Sequence, residues 1–240
     1  MASPYGLPFF YSTFLLLLKV SIKNFIPPQP GDNLMGQPGC RIYLIRHGET
    51  VNAGEVCLNG HFDVELSPAG EEQIRRVAKA LQVKPVKAIY SSDLKRTRVS
   101  AEILSRPHNL EPVCYPELRE LSFGKWEGLS VKVLNQRYPG ELSKRFKNPE
   151  TFCADGGETF LQLQERALPK FLEIAGRHPG EEIVIMSHGG VNRVILAHLL
   201  GSPLSHAFRI SQEYAAINVI QFDEDQPVIE LLNGATHHLS

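Results

Sequence analysis

From Arg41 onward, short continuous apolar runs alternate with stretches in which apolar residues recur every three or four positions. Arg41-Ile-Tyr-Leu-Ile-Arg46, set between Gly39 and Gly48, has the pattern of a buried strand. Ser67-Pro-Ala-Gly-Glu-Glu-Gln opens a helix: Ser67 suits the cap, Pro68 the first helical position, and Glu71 and Glu72 the positive end of the dipole. Ile74, Val77, Ala78 and Leu81 then give that helix one apolar face. Residues 86–90 predict a second strand, leading into Ser91-Ser92-Asp93 and a helix through Leu104. Residues 181–186 predict a third, followed at once by Ser187-His188-Gly189-Gly190 and a helix over 191–200, and residues 216–222 and 227–232 read as a closing pair of strands. This alternation predicts an α/β fold, a three-layer α/β/α sandwich with a mostly parallel central sheet. Ligands of such sheets bind beyond the carboxyl ends of the strands, so the residues that follow each strand carry the functional reading.

The pattern changes before residue 40. Six of the seventeen prolines lie there, with only Lys19, Lys23 and Asp32 charged, around the apolar run Phe9-Phe-Tyr-Ser-Thr-Phe-Leu-Leu-Leu-Leu18. A membrane span wants about 20 apolar residues, and extending this run crosses both lysines. A secretory signal places its positive charge ahead of the apolar stretch, whereas here the lysines follow it. Residues 1–40 are therefore read as a poorly ordered extension outside the domain, which occupies residues 41–240. Met35 is read as the natural start; a weak membrane-associating tail and an extra packed helix are the competing readings.

Composition narrows the class. The chain has 240 residues, 42% apolar and 21% charged, which fits a globular protein rather than a disordered one. With 25 Lys and Arg against 26 Asp and Glu, it lacks the basic surplus usual in nucleic-acid binders. Cys40, Cys57, Cys114 and Cys153 are scattered without a C-x-x-C pair, which argues against a disulfide framework or zinc knuckle and for a reducing compartment, expected to be the cytoplasm.

Two histidines and two arginines follow the predicted strands, as Arg46-His47-Gly48-Glu49-Thr50, as Ser91-Ser92-Asp93 with Arg96, and as Ser187-His188-Gly189-Gly190. A phosphoryl group asks chiefly for positioning and charge stabilisation. Arginine supplies a permanently charged planar fork, and a histidine nitrogen can serve as a nucleophile that divides one displacement into two. Gly189-Gly190 at a helix start adds backbone N–H donors. Singly, each histidine reads more readily as an ordinary polar residue and each arginine as a salt-bridge partner; their joint placement favours chemistry. Asp93 is read as a helix cap, Glu158 as first-turn charge, Trp126 as packing for the loop that carries Glu120, and His237 and His238 as a frayed tail.

Four segments in order resemble the signature of the histidine phosphatase superfamily, the phosphoglycerate-mutase-like fold: Arg-His-Gly-Glu-Thr, Ser-Ser-Asp-Leu-Lys-Arg-Thr, Leu-Arg-Glu…Phe-Gly-Lys-Trp-Glu-Gly and Ser-His-Gly-Gly. The resemblance implies that His47 is the phosphorylated nucleophile, Arg46 and Arg96 clamp phosphate, His188 stabilises the transferring group and Glu120 donates the proton. It also implies phosphate or substrate contacts at Thr50, Asn59, Gly60 and Gly189. The family's asparagine six residues beyond the nucleophile is here Ala53, with Asn52 one residue early as a weaker candidate.

Mutases of the family place a tyrosine and a lysine near the acid; here those positions hold Phe123 and Val131, and the segment over 151–157 is short. The resemblance therefore implies a histidine-type acid phosphatase, a phosphomonoester hydrolase without a metal or other cofactor. The stretch leading to Asn59-Gly60, with Gly-Gly-Glu158, looks most like α-ribazole phosphatases of cobalamin synthesis. A phosphoglycerate mutase, a sugar (bis)phosphate phosphatase and a non-catalytic phospholigand-binding pseudoenzyme are the alternatives. The expected partner is a small-molecule phosphate ester, with neither nucleic acid nor stable membrane association expected and a homodimer left open.

Overall fold

β1 (Arg41–Arg46) forms where the apolar run predicts it, with its four interior residues buried. Alternate side chains serve opposite faces, Ile42 and Leu44 one core and Tyr43 and Ile45 the other. This computed structural model describes residues 39–223 and 226–239. Apart from Gly39 and Cys40, the expected extension over 1–40 lies outside the described residues. Cys40 is already in the core, and burial pushes its thiol up to about 12.

The remaining elements follow in chain order. β2 (Cys57–Leu58) precedes α1 (Pro68–Leu81), whose cap Ser67 accepts the Gly70 N–H as the sequence predicts. β3 (Val86–Ser91) leads to α2 (Lys95–Ser105), β4 (Val113–Cys114) and β5 (Leu129–Ser130). The short α3 (Val131–Arg137) and α4 (Glu141–Lys147) precede the long α5 (Phe160–Gly176). β6 (Glu182–Ser187), α6 (Gly189–Leu199), β7 (Ile217–Asp223) and β8 (Gln226–Gly234) complete the fold.

The main sheet has the order β4-β3-β6-β1-β7-β8, in which β4, β3, β6 and β1 are parallel and β7 and β8 antiparallel. Helices α5 and α6 cover one face through Leu163, Phe171, Val191 and Ile195. Helices α1 and α2 cover the other through Ile74, Leu81, Ala101 and Leu104. The predicted three-layer α/β/α sandwich is the observed one. β2 and β5 pair separately beside it.

Three local expectations are corrected. Leu94, not Asp93, occupies the cap of α2, because Asp93 turns instead to a two-bond ion pair with Arg119 at 2.6 and 2.5 Å. Glu158 lies ahead of α5, where Thr159 caps the helix and Gln162 completes the reciprocal capping box. His237 and His238 belong to a 3-10 turn over Thr236–Leu239 with their rings 4.0 Å apart, rather than to a frayed tail. Among the described residues no helix is long and apolar enough to cross a membrane.

The Thr159 cap carries a stability prediction. Thr159→Ala removes the acceptor for the Gln162 N–H and should lower unfolding free energy by about 1 kcal/mol. Chemical denaturation checks this, and an unchanged midpoint would remove the capping box from the account of α5.

Candidate active site

Parallel pairing of β1 with β6 in the register Arg46↔Ser187 delivers two histidines side by side. The His47 N–H donates to the Ser187 carbonyl at 3.0 Å, and the His47 and His188 rings meet edge to face with centroids 5.3 Å apart. His47 is 5% exposed. Its Nδ1 lies 2.7 Å from the Gly48 carbonyl, an acceptor only, so Nδ1 carries the proton and Nε2 the lone pair. Burial first, then the guanidinium charges of Arg96 and Arg46, hold this imidazole well below the usual histidine range, and it is neutral at pH 7.

His188 is fully buried, and burial together with Arg96 lowers its proton affinity likewise. Its Nε2 lies 2.8 Å from Ser92 Oγ, which lies 2.6 Å from Thr97 Oγ1. Thr97 Oγ1 spends its proton on the Leu94 carbonyl at 2.9 Å, so Ser92 Oγ is free to donate to Nε2, the arrangement that puts the ring proton on Nδ1. That Nδ1 and Arg46 Nε are buried without a hydrogen-bond partner. Buried donors are normally satisfied, so two orphaned donors at the ends of β1 and β6 describe a seat for an anion.

The arginines differ in how they are held. Arg46 donates through Nη1 to the Gln212 carbonyl at 2.6 Å and lies 4.1 Å above the Tyr214 ring. Arg96, 1% exposed, donates to the carbonyls of Gly60 at 2.6 Å and Phe62 at 3.1 Å. Gly60 has φ +52°, a left-handed conformation that glycine adopts without a Cβ penalty. Gly60 thus positions Arg96 through its backbone. The proposed substrate residues Thr50, Asn52 and Asn59 join one another, Thr50 Oγ1 donating to Asn52 Oδ1 at 2.8 Å and Asn52 Nδ2 to Asn59 Oδ1 at 2.6 Å.

Glu120 reaches the same end of the sheet from the loop after β4. Its carboxylate accepts the Leu121 N–H at 2.8 Å and, through both oxygens, the Gly190 N–H at 3.1 and 3.0 Å in the first turn of α6. A Cβ at Gly190 would collide with Glu120 Oε1, so the glycine permits this approach. Arg166 fastens the loop, donating to the carbonyls of Glu117, Arg119 and Glu120 at 2.8 Å each. Glu158 holds Arg166 through two bonds of 2.7 Å and accepts the Ser122 N–H at 2.9 Å. Glu158 is therefore a clamp on the Glu120 loop. His61 Nε2 donates to the Glu120 carbonyl at 2.8 Å, and Trp126 is buried against Tyr138 and Phe152, both packing that loop.

The structure thus brings Arg46, His47, Arg96, Glu120, His188 and Gly189 together. Four further residues join them. Ser92 sits inside a recognised segment, yet its bond to His188 needed the fold to be visible. Tyr214 approaches His47 at 5.7 Å and precedes Ala215, whose φ of +56° is unusual for a residue with a side chain. Arg193 donates to the Ile210 carbonyl at 2.9 Å and feels the charges of Glu120 and Arg46, and Arg145 feels Glu120 and Arg193. Nothing in the linear spacing marked them. Among the described residues, no group of three or more His, Cys, Asp or Glu side chains could hold a metal ion.

Residues 42–235 match the Histidine phosphatase superfamily (branch 1), and the chain belongs to that superfamily. It is an enzyme of the phosphatase class. Over 201 residues it is 33% identical to phosphoglycerate mutase-like protein 4 of Arabidopsis thaliana, covering 82% of this chain and 86% of that one. Over 203 residues it is 30% identical to the metal-independent phosphoserine phosphatase of the same plant, covering 82% of each. The solved α-ribazole phosphatase of Shigella flexneri is similar in structure, with a TM-score of 0.74, 25% identity, and 81% of this chain and 96% of that one covered.

Neutral His47 and His188 set a pH prediction. Below about pH 6.5 the unfolded chain protonates both imidazoles while the folded chain resists. Stability should therefore be complete above that pH and fall as pH drops toward 5, with a shallower slope in His47→Ala, read by denaturation across pH. The acid limb of kcat/KM, corrected for the substrate's own ionisation, should lie well below 6.5. A limb at or above 6.5 contradicts the neutral-imidazole assignment.

Proposed function

We propose that this chain hydrolyses a small phosphate monoester through a phosphohistidine formed on His47 Nε2. The lone pair attacks phosphorus, the ester P–O bond breaks, and Glu120 gives its proton to the departing alkoxide oxygen. Glu120 then takes a proton from water, whose oxygen attacks phosphorus, the P–N bond breaks, and His47 returns with inorganic phosphate released. Arg46, Arg96 and His188 carry the negative charge of the transferring group, a task that needs no metal ion. In the resting arrangement the Glu120 carboxylate holds the Gly190 N–H. A phosphate that takes up this donor frees Glu120 for the leaving oxygen.

The observation that carries this reading is the pair of facing rings, one with a free Nε2 lone pair and the other with an orphaned Nδ1 beside an orphaned Arg46 Nε. Hydrolysis is favoured over mutase action because Phe123 lacks a hydroxyl and Val131 lacks a charge to retain the product alcohol. For the leaving group, the loop resemblance supports α-ribazole, while the name of the plant relative supports serine. A panel of phosphate esters including both, and both phosphoglycerates, decides between them.

Rapid quench after mixing with a phosphorus-labelled ester should trap acid-labile, base-stable phosphohistidine in the full chain and none in His47→Ala, which should also lose essentially all turnover. Turnover within tenfold of the parent in His47→Ala would overturn the mechanism. Arg96→Ala and His188→Ala should each cost at least two to three orders of magnitude in kcat, as loss of preorganised charge stabilisation does. Glu120→Gln should slow alkyl phosphates more than aryl phosphates, whose leaving groups need little protonation; equal losses would remove Glu120 from the acid role.

A further inference from the structure

We infer that Tyr214 is a positioning residue for the phosphate seat: its ring is the platform that sets the plane of the Arg46 guanidinium and aims Nε at the transferring group. The inference deepens the phosphatase reading above and rests on it.

The two arginines of the seat are held by different means. Arg96 gives donors to two carbonyls, those of Gly60 and Phe62, which fix its fork. Among the described residues the Arg46 side chain makes one hydrogen bond, from Nη1 to the Gln212 carbonyl at 2.6 Å. A single bond leaves a guanidinium free to turn about it. The Tyr214 ring removes that freedom: the guanidinium carbon of Arg46 lies over it, 4.1 Å from its centroid, the shortest cation–ring approach among the described residues. A guanidinium stacked on a ring keeps its N–H donors at the edge of its own plane, where an anion can take them. Nε is the donor left over, buried without a partner. A Cβ at Gly189 would stand 3.5 Å from it, so Nε faces the start of α6, beside the residue whose Nδ1 is also unpartnered, His188.

A platform works only if it is itself fixed, and the segment that carries Tyr214 is fixed on both sides. Its backbone is laced to the end of β1: the Ala215 N–H donates to the His47 carbonyl at 3.1 Å and the Arg46 N–H to the Ala216 carbonyl at 3.0 Å. Between them Ala215 holds φ +56°, a conformation that costs an L-residue energy and persists where its neighbours over-determine it. Gln212, 2% exposed, supplies the rest. Its Nε2 donates to the Ser211 carbonyl at 2.7 Å and to Asn218 Oδ1 at 2.9 Å, and its Oε1 accepts Asn192 Nδ2 and Asn218 Nδ2 at 2.9 Å each. Both donors and both lone pairs of this buried amide are spent, which makes it a rigid support. Asn192 lies in the first turn of α6, where its N–H donates to the His188 carbonyl at 2.9 Å. The segment beneath Arg46 is thereby tied to the turn that follows the second histidine.

The test is a double-mutant cycle in the full chain, read as the Kd of inorganic phosphate by phosphorus NMR and as kcat/KM for an aryl phosphate. Tyr214→Leu should weaken phosphate binding by roughly 3- to 30-fold, the scale of a partly desolvated cation–π contact, and lower kcat/KM by a similar factor. Tyr214→Phe, which keeps the ring face, should recover most of that loss. With Arg46→Met already in place, Tyr214→Leu should change the phosphate Kd by less than about twofold, because the platform has nothing left to hold. With Arg96→Met in place, it should cost the same factor as in the parent, since Arg96 is held by carbonyls elsewhere. A loss that persists in the Arg46→Met background means that the ring acts through His47 or through packing, and overturns the assignment. So does an unchanged Kd in Tyr214→Leu, or a loss in Tyr214→Phe as large as in Tyr214→Leu. Should Tyr214→Leu fail to fold, Tyr214→Met, of similar bulk and without a π face, runs the same cycle. Phosphate binding needs no covalent step, so a missing phosphohistidine would sink the hydrolytic mechanism and leave this coupling intact, while an uncoupled Tyr214 would do the reverse.

Discussion

The site depends on the parallel pairing of β1 with β6. Both strands are buried on both faces, and their register places Arg46 opposite Ser187, so the next residue of each chain segment is a histidine. A slip of one residue would turn every side chain of a strand to the opposite face, sending Tyr43 and Ile45 into the core that Ile42 and Leu44 now fill. The apolar pattern that builds the sheet therefore also fixes the distance between the two imidazoles. Chemistry at this site is a consequence of core packing one residue earlier.

Such a site opposes stability. Two neutral imidazoles and several guanidinium groups sit where water is largely excluded, and donors on His188 and Arg46 lack partners. The surrounding structure offsets this through fixed backbone contacts: Gly60 and Phe62 carbonyls on Arg96, the Gln212 carbonyl on Arg46, and the Ser92–Thr97 pair behind His188. The Glu120 loop is held with the same economy, since one clamp, Arg166 with Glu158, fixes three carbonyls of its backbone, those of Glu117, Arg119 and Glu120. Rigidity of this kind keeps charges aimed at an incoming anion with little reorganisation on binding.

Much of this was readable in the chain. β1 falls on its predicted residues, α1 starts at its predicted cap, and the closing strand pair and the mixed sheet follow from periodicity and from the turn residues between elements. The histidines and arginines of the site could be found because each follows a strand directly. What could not be found depends on tertiary contacts. Asp93 looks like a cap until Arg119 is seen beside it, and Glu158 looks like first-turn charge until Arg166 is seen spanning the loop. Arg145 lies in a basic stretch of a short helix, where a solvated face is the ordinary expectation, and only the three phenyl rings around it show that it is buried. Tyr214 carries no local signal at all.

The most direct test of the central arrangement is a crystal structure of the full chain with vanadate, an analogue of phosphoryl transfer. The account predicts vanadium bonded to His47 Nε2, with Arg46 Nε and His188 Nδ1 both within hydrogen-bond distance of its oxygens. Vanadate held away from His47, or seated with those two donors still unpartnered, would contradict it.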